Sequence, residues 1–99
     1  MRFRFKDKKL EALYTEEKNA HKYPNVLDDF FEVMAIINAA LDKRDLYAQK
    51  GLHFEKLAGQ RGKQGQRSLR LNKQWRLIVT LAEDKEGSYL QIISIEDYH

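Results

Sequence analysis

SLRLNKQWRLIVTL, residues 68–81, alternates apolar and polar side chains on either side of a polar triplet. Leu69 and Leu71 point one way and Arg70 the other, which is the two-residue period of a strand. Asn72-Lys73-Gln74 supplies turn chemistry. The alternation then resumes, with Trp75, Leu77, Val79 and Leu81 on one face and Arg76, Ile78 and Thr80 on the other. The stretch therefore predicts a hairpin with Trp75, Leu77 and Val79 turned to the core. Burial of such side chains contributes about 1.5–3 kcal/mol each. A second turn follows in AEDKEGS around Gly87, and YLQIISI, apolar on both faces near its centre, reads as a central strand.

Upstream, Phe3 and Phe5 alternate with Arg2 and Arg4 and predict an N-terminal strand. Asp7 is placed to cap a helix starting at Lys8, with Leu10, Leu13, Tyr14 and Glu17 at helical spacing. NAHKYPN breaks it, and Pro24 fits the first turn of a second helix. Leu27, Phe30, Phe31, Met34, Ile37, Ala40 and Leu41 then recur at three and four, an amphipathic helix of about four to five turns. Residues 50–66 hold four glycines among polar side chains and read as a loop or short irregular strands. The expected architecture is α+β: a strand, two helices, then an antiparallel strand meander, all in one domain spanning residues 1–99.

Ninety-nine residues suffice for one modest core, and 42% hydrophobic content argues against disorder. The absence of cysteine excludes thiol catalysis and Cys-based zinc sites. MRFRFKDKK lacks the apolar region of a signal peptide and no run approaches a membrane span, so a cytoplasmic protein with no membrane partner is expected. Charge is unevenly spread. Residues 1–49 hold nine basic and nine acidic groups, whereas residues 50–76 set eight basic groups against Glu55 alone. Such a segment attracts a polyanion, nucleic acid above all; a solvated basic surface is the plainer reading.

GQRGKQG is not a phosphate loop, because Gln64 follows Lys63 where Ser or Thr is needed and Leu57 stands five residues before Gly62. His21, His53 and His99 lack metal-site spacing, and no serine occupies a strand-to-helix elbow. A different set survives. His53 and Lys56 lie in the basic loop, Arg70 and Arg76 share a strand face, and the chain closes on Asp97, Tyr98 and His99. If the last strand pairs with residues 75–81, its exit lies beside the basic surface, and a residue beyond a rigid strand is firmly placed. Cleavage of RNA through its 2′-hydroxyl needs a base, an acid and cations for the charged phosphorane. Imidazole, with a pKa near ~6.5, fills either proton-transfer role, and the terminal carboxylate of His99 favours its protonated form. A basic hairpin protein with a frayed tail is the structural alternative.

LHFEKLAGQR, QRSLRLNKQWRLIV and the closing IEDYH together resemble the HigB-type "proteic killer" toxins of the RelE/ParE superfamily. The most specific elements are Arg70-x-Asn72-x-x-Trp75-Arg76 and Asp97-Tyr98-His99. The likeness extends over MRFRFKDKKLEALY, the central helix and DLYA, nearly the whole chain. It implies a type II toxin that enters the ribosomal A site and cuts messenger RNA without a cofactor or metal, restrained by a helix-turn-helix antitoxin. Carried over, the catalytic set is His99, Tyr98, Asp97 and Arg76, with His53 and Lys56 from the loop. Those two keep the family's mutual spacing but sit two residues further from Gly59, and GQRGKQGQRS is about two residues longer than the usual loop. Lys50, Arg61, Lys63, Arg67, Arg70 and Lys73 are expected to bind RNA. The alternatives are a gyrase-inhibiting member of the superfamily and a non-catalytic RNA-binding relative.

Overall fold

The alternating stretch forms β3 (Gln66–Arg70) and β4 (Trp75–Asp84), paired antiparallel with Leu69 opposite Leu77 and Arg70 opposite Arg76. β5 (Gly87–Asp97) returns along β4 after a two-residue turn. Gly87 has φ 111°, a conformation that side chains with a Cβ rarely adopt. This computed structural model describes residues 1–97. β1 (Phe3–Phe5) adds to the outer edge of β5 in parallel, and a two-residue β2 (Glu55–Lys56) lies against β3. The sheet is mixed, in the order β1-β5-β4-β3-β2. Its parallel edge was not readable from the alternation, because strand period carries no information on strand direction.

Helix α1 (Lys8–Glu16) starts where expected, with Asp7 Oδ1 accepting from the Lys9 amide at 2.7 Å. It ends at Glu17, which turns left-handed with φ 55°. Helix α2 (Leu27–Ala39) begins three residues after Pro24, which lies in the preceding turn rather than in the helix. It stops at Ala40, whose backbone is extended, so Leu41 leaves the apolar stripe and is 87% exposed. The chain then recaps: Asp42 accepts from the Arg44 amide and opens α3 (Lys43–Ala48).

Leu10, Leu13, Phe30, Met34 and Ile37 from the helices meet Leu69, Leu77, Val79, Leu90 and Ile92 from the sheet, all fully buried. Trp75 packs partly buried against the same core, as its strand face requires. Phe3, Tyr14, Phe30 and Phe31 close one end, with Tyr14 at 5.6 Å from Phe3 and 6.2 Å from Phe31. One residue of β5 departs from the alternation: Ile78 pairs with Ser94 but Val79 with Ile92, so Ile93 is bulged out. The bulge keeps Ile92 in the core while aiming Ser94 and Glu96 at the opposite face, alongside Ile78 and Arg76.

The expected loop at 50–66 is more ordered than glycine content implies. It holds a 3₁₀ turn at Lys50–Leu52, then β2, then the short helix α4 (Gly59–Lys63). Gly62 explains the spacing. A Cβ there would lie 1.7 Å from the Leu57 carbonyl oxygen, so only glycine lets α4 fold back on the segment before it.

Candidate active site

Asn72 organises the turn on which the two strand arginines stand. Its Oδ1 accepts from the Gln74 and Trp75 amides at 2.9 and 3.0 Å, closing the hairpin. Its Nδ2 donates to Asp29 Oδ2 at 2.9 Å and so ties the turn to α2. Its carbonyl oxygen accepts from Arg76 Nη1 at 2.9 Å and Arg70 Nε at 3.3 Å. One asparagine thus fixes the turn, docks it and orients two guanidinium groups. That gives a physical reason for the Arg-x-Asn-x-x-Trp-Arg spacing.

The face of β4 away from α1 and α2 carries Arg76 and Ile78. The segment 57–64 folds over its β3 side, leaving a cleft of about 500 Å³ lined by Lys56, Ala58, Arg61, Arg76, Glu96 and Asp97 among others. Arg61 projects from α4 and meets Glu96 on β5, Nη1 and Nη2 donating to its two carboxylate oxygens at 2.8 and 2.7 Å. Gln66 Oε1 accepts from Arg61 Nε at 2.8 Å, and Ser94 Oγ donates to Glu96 at 2.8 Å. The hydrogen bonds from Arg61 hold the Glu96 carboxyl below its ordinary range, against a smaller opposing effect of burial. The same pairing raises Arg61. At the end of β5, Asp97 accepts from Gln74 Nε2 at 3.1 Å.

Lys56, Arg61, Arg76 and Asp97 are therefore brought together, out of the residues singled out by sequence. Arg70 stands directly opposite Arg76. His53 has left-handed backbone, φ 45°, and its Nδ1 lies 3.7 Å from Glu55 Oε1, outside the lining of the cleft. Lys50, Lys63 and Lys73 are exposed on the 3₁₀ turn, on α4 and at the β3–β4 turn. Arg67 pairs with Val79 and turns to the helical side of the sheet, over Tyr47 and Phe54. Tyr98 and His99 lie outside the described residues. Glu96 was missed by sequence reasoning. Strand alternation with Arg76 could have placed it on this face, but nothing local announces a partner 35 residues away.

The basic character of residues 50–76 does not carry over intact to the cleft. Lys56, Arg61 and Arg76 are matched there by Glu55, Glu96 and Asp97. Distance along the chain and distance in space group charges differently.

A sequence-family model described as "RelE-like toxin of type II toxin-antitoxin system HigB" matches residues 3–96. Toxin HigB-1 of Vibrio cholerae serotype O1 is 38% identical over 79 residues, which are 79% of this chain and 81% of that toxin. Among solved structures, the YoeB/ParE toxin from Agrobacterium tumefaciens superposes over the whole of both chains with a TM-score of 0.54 at 12% identity, a likeness of fold. Matched in sequence from the start of β1 to the penultimate residue of β5 and in fold throughout, the chain belongs to the HigB family of RelE-like toxins of type II toxin–antitoxin systems.

Proposed function

We propose that the chain is a ribosome-dependent endonuclease of messenger RNA that halts translation. The observation supporting this reading is the convergence of Arg76, Lys56 and Arg61 on one cleft with Asp97, the residue directly before Tyr98 and His99. In the proposed reaction the 2′-oxygen attacks phosphorus and the bond to the 5′-oxygen breaks, leaving a cyclic phosphate and a 5′-hydroxyl. A base removes the 2′-proton and an acid protonates the leaving oxygen, with His99 transferring one of these protons. Arg76 and Lys56 stabilise the dianionic phosphorane, a role that needs fixed donors, and Asn72 fixes Arg76.

Membership of a type II system implies an antitoxin partner. We propose a helix-turn-helix protein for that role, and the ribosome with its bound message as the target in the cytoplasm. No helix among the described residues is long and apolar enough to cross a membrane. A second reading, a non-catalytic RNA-binding relative, is favoured by the position of His53 outside the cleft and by the balanced charge within it. Induced expression followed by primer extension on translated messages separates the two. New 5′ ends confined to translated regions support cleavage; growth arrest without them overturns it.

A further inference from the structure

Tyr47, Phe54 and Arg67 form a cluster on the helical side of the sheet edge, away from the cleft, the two rings tilted by 53° to each other. The rings of Tyr47 and Phe54 are 4.7 Å apart, and the Arg67 guanidinium lies 5.8 and 5.5 Å from their centroids. Arg67 Nη1 also donates to the Tyr47 hydroxyl. Phe54 is buried, yet Tyr47 on α3 stays 48% exposed. Lys56 is the cross-strand neighbour of Arg67, and it also lines the cleft. Exposed Lys50 lies between Tyr47 and Phe54 in the chain. Flat π surfaces flanked by cations are what single-stranded RNA uses: bases stack on aromatic rings or guanidinium planes while phosphates meet lysines. Because Lys56 belongs to both places, a strand leaving the cleft across Lys56 reaches Arg67 next.

We infer that Tyr47 and Arg67 form a second RNA contact, a stacking platform for one unpaired nucleobase adjoining the cleft through Lys56. This rests on the endonuclease reading for its substrate, but its recognition chemistry needs only an unpaired base. The platform recognises a ring face rather than a hydrogen-bonding edge, so it holds purines and pyrimidines alike.

Two measurements on the intact chain test it. The first is cleavage of messages on programmed ribosomes. Tyr47→Ala raises KM about tenfold at unchanged kcat, while Tyr47→Phe stays within about twofold of wild type. Placing an abasic nucleotide at successive message positions identifies one where wild type and Tyr47→Ala become equal. The second is binding of a 2′-O-methyl oligoribonucleotide carrying 2-aminopurine. Its fluorescence is quenched by wild type, and the quench is lost in Tyr47→Ala and in Arg67→Lys, which keeps the charge but not the plane. An unchanged KM in Tyr47→Ala, or a loss that persists at every abasic position, overturns the platform. If the wild type cuts nothing, the endonuclease reading fails and the quench alone decides: its retention in both variants refutes the platform.

Discussion

The two ends of the sheet each carry an arginine gripping a carboxylate through both oxygens, yet they do different things. At the β4–β5 turn, Arg2 donates to Asp84 at 2.7 and 3.0 Å, and Arg4 adds a bond of 2.6 Å to the same group. Both guanidinium groups lie over the Tyr89 ring, at 5.6 and 4.5 Å from its centre. This clamp fastens the parallel strand β1 to the hairpin. A hollow of about 580 Å³ beside it is lined by Arg2, Asp42, Lys43, Arg44, Glu83 and Ser88 among others, so it too mixes charges, but it lies at the far end of β4 from Arg76 and from the end of β5. At the other end, the Arg61–Glu96 pair has the same bidentate form but stands beside Arg76, Lys56 and Asp97. Pair geometry is thus common to scaffold and site. The difference lies in what stands beside each pair: Arg76, held by the Asn72 turn, and the end of β5 adjoin only the second.

The sharpest way to break this contrast is to compare arginines and the tail. His99→Gln keeps a hydrogen-bonding side chain that cannot titrate, so single-turnover cleavage falls about 10²–10⁴-fold. Arg76→Ala lowers it about 10²–10³-fold, and no change of pH restores it. Arg2→Ala, by contrast, lowers the thermal midpoint and leaves the cleavage rate of the folded protein unchanged. Wild-type rates in His99→Gln assign catalysis to the loop groups instead; a rate loss in Arg2→Ala erases the distinction between the two ends.

A smaller effect tests how the cleft end is built. Gly62→Ala forces a Cβ against the Leu57 carbonyl and destabilises the fold by about 1–3 kcal/mol. Gly51→Ala meets no atom within 4 Å and stays within about 0.5 kcal/mol of wild type. Denaturant titration of both variants checks this, and equal midpoints mean that α4 does not depend on the close approach.

The smallest effect concerns acid. Hydrogen bonding to Arg2, with further help from the Glu86 amide and the charge of Arg4, lowers the Asp84 carboxyl from 3.8 to about 2, against desolvation. A depressed carboxylate stabilises the fold above its unfolded value, and that contribution is lost as pH falls from about 4 to about 2. Asp84→Asn therefore removes part of the acid dependence of stability in that window, without altering cleavage at neutral pH. Thermal melts between pH 2 and 5 read it out, and superimposable acid limbs for the two proteins reject the clamp.

The hairpin, the cap at Asp7 and the turn at Asn72 were legible because each depends on neighbours within a few residues. Period, capping geometry and turn chemistry are local properties, so Leu69, Leu77 and Val79 could be assigned to the core from alternation alone. The end of α2 was misplaced by two residues because Leu41 continues the apolar spacing while Asp42 recaps the chain. α4 was hidden among glycines, of which Gly62 serves the close approach to Leu57.

For the site, sequence determined the kinds of group present: arginines at fixed spacing on one strand face, a basic loop, and Asp97 at the end of a strand. Tertiary structure decided their company. The bulge at Ile93 set which β5 side chains join Arg76, and chain folding brought Arg61 to Glu96 and sent Arg67 to the opposite face with Tyr47. Charge counted along the chain predicted a basic surface for a polyanion, but Coulomb attraction acts through space, and in the cleft the carboxylates that balance these cations come from β2 and β5.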